Sequence, residues 1–190
     1  MASLIRHGQI AADNWQLLKL ADDGSLPEIP AEGDIIVPLA LWQASSSALL
    51  VRNGGRLGVW LDSDEEPAQI ADHLGCFEVI AVNFPQFTDG RGYSIARLLR
   101  ERHGWKGELR AIGDVQRDQL FYLSRCGFDA FLLREGQDVP QGDLLRGAQA
   151  ALSAFSDFTE AYQTSVERPV PLFRRRPVHP ANAVENGKSS

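Results

Sequence analysis

The sequence predicts an α/β fold. About five β-α units form a parallel sheet, either open and doubly wound or a partial TIM-like barrel, with a small N-terminal β-hairpin in front. Two observations carry this. Between Ile35 and Tyr162, short apolar runs alternate with helix-patterned segments, which implies parallel strands joined by right-handed crossovers. The count of five units fits a doubly wound sheet and also an incomplete barrel, and is too small for a complete one.

Each element follows from local chemistry. Ser3–Ile10 and Trp15–Leu20 are apolar-rich runs, and the turn residues Asp13-Asn14 between them suggest a hairpin. A loop with Gly24, Pro27, Pro30 and Gly33 follows, so residues 1–33 form a front appendage. Asp34–Pro38 is a short strand. Leu39, Trp42, Leu49 and Leu50 share a helical face that Gly54-Gly55 ends. After the Leu57–Leu61 strand, Ser63-Asp-Glu-Glu66 is a capping box with acidic residues at the positive end of a helix.

The pattern then repeats. Glu78–Asn83 reads as a buried strand. Tyr93–Arg102 is a helix with Ile95, Leu98 and Leu99 on one face and Arg97, Glu101 and Arg102 on the other. Glu108–Ile112 is a strand, Asp114 caps a helix through Leu123, and Phe128–Leu133 is a further strand. Asp143 starts a long amphipathic helix that includes Leu152, Phe155 and Tyr162, completing a core domain over 34–164. Prolines and the Arg174-Arg175-Arg176 triplet mark 165–190 as a disordered, basic, Pro-rich tail.

Composition narrows the function. The chain has 190 residues, 44% of them hydrophobic, enough for a packed core. No apolar run approaches the roughly 20 residues of a membrane span. The start Met1–Gly8 lacks the basic and apolar regions of a signal peptide. A soluble, cytoplasmic protein is the expectation, with no membrane partner. The net charge of -6 argues against non-specific nucleic-acid binding. It also hides an asymmetry: the tail holds five basic and two acidic residues, leaving -9 on residues 1–164.

Ligands in parallel α/β sheets bind beyond the carboxyl ends of the strands. Those ends offer Asp62, the Phe84–Tyr93 loop, Gly113-Asp114 with Arg117 and Asp118, and Arg134-Glu135. The Phe84–Tyr93 loop is longer than most such connections. Gly90 and Gly92 permit close backbone approach, and Arg91 beside a helix start suits an oxyanion such as phosphate, sulfite or sulfate. The same residues also suit a tight loop in which Asp89 and Arg91 pair. Tyr93 closes the loop. Arg110, inside a strand, needs a partner, either a local charge network or an anion. In an enzyme, Asp89 and Asp118 would serve as the catalytic acid and base and Arg91 and Arg110 as anion clamps. Cys126 is either a small core residue or a redox thiol beside Arg125. His7, His73, His103 and His179 show no metal spacing, Gly90-Arg-Gly92 is no dinucleotide fingerprint, and no cofactor is evident.

The segments Asn83–Arg102 and Gly107–Phe131 resemble a bacterial family defined only as a domain of unknown function, DUF934. The stretch Asp34–Ala40 and the region of Trp15 share the resemblance. The matching positions include Phe84, Asp89, Gly90, Arg91, Gly92, Tyr93, Arg110, Gly113, Asp118, Gln119, Cys126 and Gly127. The resemblance implies a gene beside those of sulfite reductase and the family's label of an oxidoreductase in sulfite reduction. Such a label implies a pathway rather than a reaction. Two functions are therefore expected: an accessory protein of assimilatory sulfite reduction, partnered by the sulfite reductase haemoprotein, or a stand-alone enzyme for a small oxyanion or phosphorylated metabolite.

Overall fold

A computed structural model describes residues 3–133 and residue 166. Eight strands form one sheet: β1 (Ser3–Arg6), β2 (Gln9–Ala12), β3 (Trp15–Leu17), β4 (Asp34–Pro38), β5 (Leu57–Leu61), β6 (Val79–Phe84), β7 (Glu108–Gly113) and β8 (Ala130–Leu132). Their order is β2-β1-β8-β7-β6-β5-β4-β3. From β3 to β8 each strand lies parallel beside its predecessor, while β1 runs antiparallel to β8 and β2 antiparallel to β1.

This order contains no reversal, so it lacks the topological switch of a doubly wound sheet. Right-handed crossovers then put the connecting helices on one face. These are α1 (Leu39–Leu50), a 3-10 helix (Pro67–Cys76), α2 (Arg91–Arg97), which continues as a π-helical turn (Leu98–Arg102), and α3 (Leu120–Cys126). The β3–β4 connection holds no helix. The sheet is thus mixed and mostly parallel, and the expected five-fold β-α repeat is not seen among the described residues. The predicted helix from Asp143 and the tail lie outside them, apart from Val166, whose N–H donates to the Arg125 carbonyl.

The sheet is also forced to curl. Strands β2 and β3 occupy opposite edges, yet only Asp13 and Asn14 separate them in sequence. In a flat sheet of this width the edges would be about 34 Å apart at about 4.8 Å per strand. The chain from Ala12 to Trp15 reaches at most about 11 Å. Only a strongly curled, barrel-like sheet brings the two edges within that reach. Its convex face packs against the helices through Val37, Val59, Ile80, Val82, Leu109 and Phe131. Its concave face carries Ile36, Val79, Ala81 and Ile112, with Trp15, Leu17, Trp60 and Leu132 against them.

The front segment is woven into this sheet instead of standing apart. The hairpin turns at His7-Gly8, where both residues have positive φ (49° and 71°), and not at Asp13-Asn14. Asp13 instead starts β3, its Oδ1 accepting the Trp15 N–H at 3.2 Å.

Arg110 fixes the closure. It is 1% exposed and points toward the amino-terminal ends of the strands. Its Nη1 donates to both Asp13 oxygens at 3.0 and 2.9 Å. Its Nε and Nη2 donate to Glu108 Oε1 at 2.8 and 2.7 Å. Glu108 Oε2 in turn accepts from Arg6 Nη1 at 3.1 Å. One buried guanidinium therefore ties β7 to the linker joining the two sheet edges. Arg110→Met would leave the Asp13 carboxylate without its cation and Glu108 with Arg6 alone, and should cost about 3–5 kcal/mol. Arg6→Met, at the exposed end of the chain of charges, should cost about 1 kcal/mol or less. Chemical denaturation of the two variants measures the difference.

Candidate functional site

Curling gives the carboxyl ends of the strands a common mouth. A cavity of about 550 Å³ opens there. Leu17 and Leu20 come from β3 and its exit, Trp60 and Asp62 from β5, Asn83 from β6, Ile112 and Gly113 from β7, and Leu132 and Leu133 from β8, with Lys19 beside Leu17. Period-2 alternation explains the selection: Trp60, Asn83, Ile112 and Leu132 all fall on the concave face by register.

The polar groups of Trp60, Asp62 and Asn83 in this mouth are held. Asp62 Oδ1 accepts from Asn83 Nδ2 at 3.1 Å and from the Ser63 N–H at 2.7 Å. The Asp62 N–H donates to Glu65 Oε2 at 2.7 Å. Trp60 Nε1 donates to the Leu18 carbonyl at 2.8 Å, which locks the indole and pins the exit of β3. Gly113 has φ 92°, and a Cβ built on it would lie 2.4 Å from the Phe84 carbonyl oxygen and 2.5 Å from Asn83 Oδ1. Only glycine lets β7 end so close to β6.

The Phe84–Tyr93 loop lies beside this mouth and is closely fastened. Asp89 and Arg91 form a two-pronged pair, with Nε to Oδ1 at 3.0 Å and Nη2 to Oδ2 at 2.7 Å. Ser63 Oγ donates to Asp89 Oδ2 at 2.8 Å and accepts from Arg91 Nη2 at 2.7 Å. Hydrogen bonds from Arg91 first, then Ser63, hold the Asp89 carboxyl well below the usual carboxylate range. The Phe87 N–H donates to Asp114 Oδ2 at 3.0 Å. Gln119 Nε2 donates to the Phe87 carbonyl at 3.2 Å and to the Tyr93 hydroxyl at 3.3 Å. Burial pushes the Tyr93 phenol up. Gly92 lies against the Phe84 ring, where a Cβ would come within 2.6 Å of Cζ. Gly90 is the N-cap of α2.

Arg91 also lines a second hollow of about 710 Å³, between the Ser63–Ala68 turn and α2, with Glu65, Ser94, Leu98, Arg102 and His103. Burial pushes the Glu65 carboxyl up.

The structure thus places Asp89 at the end of the loop, Gly90 as the N-cap of α2 and Arg91, Gly92 and Tyr93 in its first turn. Arg110 does not join them: it faces the other end of the strands, paired with Asp13 and Glu108 rather than with Asp114 or Asp118. Asp118 is exposed in a single 3-10 turn (Arg117–Gln119), within electrostatic range of Tyr93. Burial pushes the Cys126 thiol up against the pull of Arg97 and Arg125, opposite to what a reactive thiolate requires. Arg134 and Glu135 lie outside the described residues. Sequence reasoning missed Lys19, Trp60 and Asn83 as a group. Trp60 and Asp62, two apart at a strand end, carried a usable signal. Lys19 carried none, because its place depends on β3 crossing to the far edge.

A family model described as bacterial protein of unknown function (DUF934) matches residues 58–173, and the chain belongs to that family. The match covers β5 to β8 and both loops of the site. No curated protein matches the chain.

The lowered carboxyl of Asp89 makes a pH prediction. Its contribution to stability is present above the unfolded value near about 4 and is lost as pH falls through the lower folded value. Asp89→Asn should therefore lower the melting temperature at pH 7. The gap from wild type should begin to close only below about pH 4. Thermal melts of both proteins across pH 2–7 read this directly.

Proposed function

We propose that this DUF934 protein is an accessory component of assimilatory sulfite reduction that works through a small-molecule site at the open end of its half-barrel. The observation that carries the site is the 550 Å³ cavity in which Asp62, Asn83 and Lys19 meet an indole and five leucine and isoleucine side chains. Its size lies within the ordinary range of ligand pockets, and its mix of an apolar wall with few polar groups is their usual chemistry. The pathway rests on the family resemblance.

Bare sulfite suits this mouth poorly. It is a compact dianion, whereas the cavity is large and presents a carboxylate, with Lys19 as its cation. Arg91 and Arg110 are already matched by carboxylates. The ligand that fits is an organic metabolite, and the role is to serve the reductase with or through that metabolite. A second reading, a stand-alone enzyme for a small oxyanion, draws on the side-chain exposure of Arg91, 59%, and on Arg102 and His103 in the same hollow.

Deleting the gene should impair growth on sulfate or sulfite and spare growth on cysteine. Complementation with Trp60→Ala should fail, while Arg102→Ala, in the second hollow, should restore growth. Normal growth of the deletion strain on every sulfur source would overturn the pathway. The opposite complementation pattern, together with a sulfite-dependent rise in melting temperature that Arg91→Ala abolishes, would favour the oxyanion enzyme.

A further inference from the structure

We infer that the mouth of the half-barrel recognises a small zwitterion of the α-amino-acid class, its ammonium at Asp62, its carboxylate at Lys19 and its apolar body along Leu132 and Ile112. The inference rests on the mouth being the functional site and adds the chemistry of its ligand.

The argument starts from Asp62. Both hydrogen bonds that the structure gives its carboxylate fall on Oδ1, from Asn83 and from the Ser63 N–H. The carboxylate is thereby fixed in direction, with Oδ2 the oxygen left to accept from a ligand. Trp60 stands two residues before Asp62 on the same strand and lines the same cavity. Its indole N–H is spent on the Leu18 carbonyl, so what it offers a ligand is its ring. An indole face beside an oriented carboxylate is the chemistry that selects an organic ammonium. Asn83 acts here as a positioning residue, since its amide holds Oδ1.

The second charge sets the other end of the ligand. Lys19 lines the same mouth, and no ion pair joins it to Asp62 among the described residues. A cavity wall with separate anionic and cationic groups complements a molecule that carries both. Between them the wall is apolar, formed by Leu17, Ile112, Leu132 and Leu133. A free dianion would be repelled by Asp62. A purely apolar ligand would cover the exposed Lys19 and the half-buried Asp62 without pairing either charge.

The test uses the full chain and the indole N–H signal of Trp60 in ¹H–¹⁵N spectra as the reporter. L-leucine, L-methionine and L-phenylalanine are titrated, each beside its N-acetyl and methyl ester derivatives. The parent amino acids should move the Trp60 signal. N-acetylation, which removes the ammonium, should weaken binding by about ten- to a hundred-fold, and esterification should weaken it by less. Asp62→Asn, close to isosteric, should lose the response to the parents, and Lys19→Met should erase the preference for acid over ester. N-acetyl derivatives that bind as well as their parents, or a full response in a folded Asp62→Asn protein, would overturn the ligand class. If only neutral or anionic metabolites of a wider set move the Trp60 signal, the class falls and the mouth stands. If none moves it, both fall.

Discussion

The architecture depends on one covalent constraint: two residues, Asp13 and Asn14, join strands at opposite edges of an eight-stranded sheet. A link that short cannot cross a flat sheet, so curvature is imposed by connectivity and does not wait on side-chain packing. The linker is then a place where a polar backbone crosses the amino-terminal end of a concave, otherwise apolar face. Arg110 answers that problem. Its guanidinium satisfies Asp13 from inside and Glu108 from its own strand, so each of these three charges has a partner.

That closure divides the molecule. Arginine at the bottom and back is spent on structure. Arg110 holds the linker, and Arg100 donates to the carbonyls of Gly127, Trp105 and Gly107 and to Asp129. Burial lowers the Arg100 guanidinium and raises the Asp129 carboxyl, so desolvation works against the attraction between them. At the carboxyl ends of the strands no buried arginine is seen among the described residues, and there the cavity forms. Among the described residues the helices cover the convex face, and the cavity lies at the top of the concave one.

Much of this was legible in the sequence, and the limits have physical causes. Alternation of apolar runs with helical patterns placed β4 to β8 within a residue or two, because each is a local signal. Strand-end logic reached Asp62, the Phe84–Tyr93 loop and Asp114. What failed was non-local. The Asp13-Asn14 pair carries hairpin chemistry, yet the same Asx geometry serves a linker between distant strands, while His7-Gly8 made the actual turn. Arg110 showed a charge in need of a partner, but its main partner is 97 residues away. Lys19 and Asn83 meet only because the sheet closes, which the choice between an open sheet and a barrel left undecided.

The motif loop and the mouth are coupled through adjacent residues. Ser63 donates its backbone N–H to Asp62 and its hydroxyl to Asp89, while accepting from Arg91. The Asp89–Arg91 pair therefore fixes the residue that helps aim Asp62 into the cavity. Asp114 and Gln119, from beyond β7, hold Phe87 in the same loop, and Gly113 lets β7 end against Asn83. A loop fastened from two neighbouring strand ends behaves as a rigid collar. On this view the Asp-Gly-Arg-Gly segment need not touch a ligand to matter: its charges neutralise one another and set the direction of a carboxylate one residue away from their shared serine.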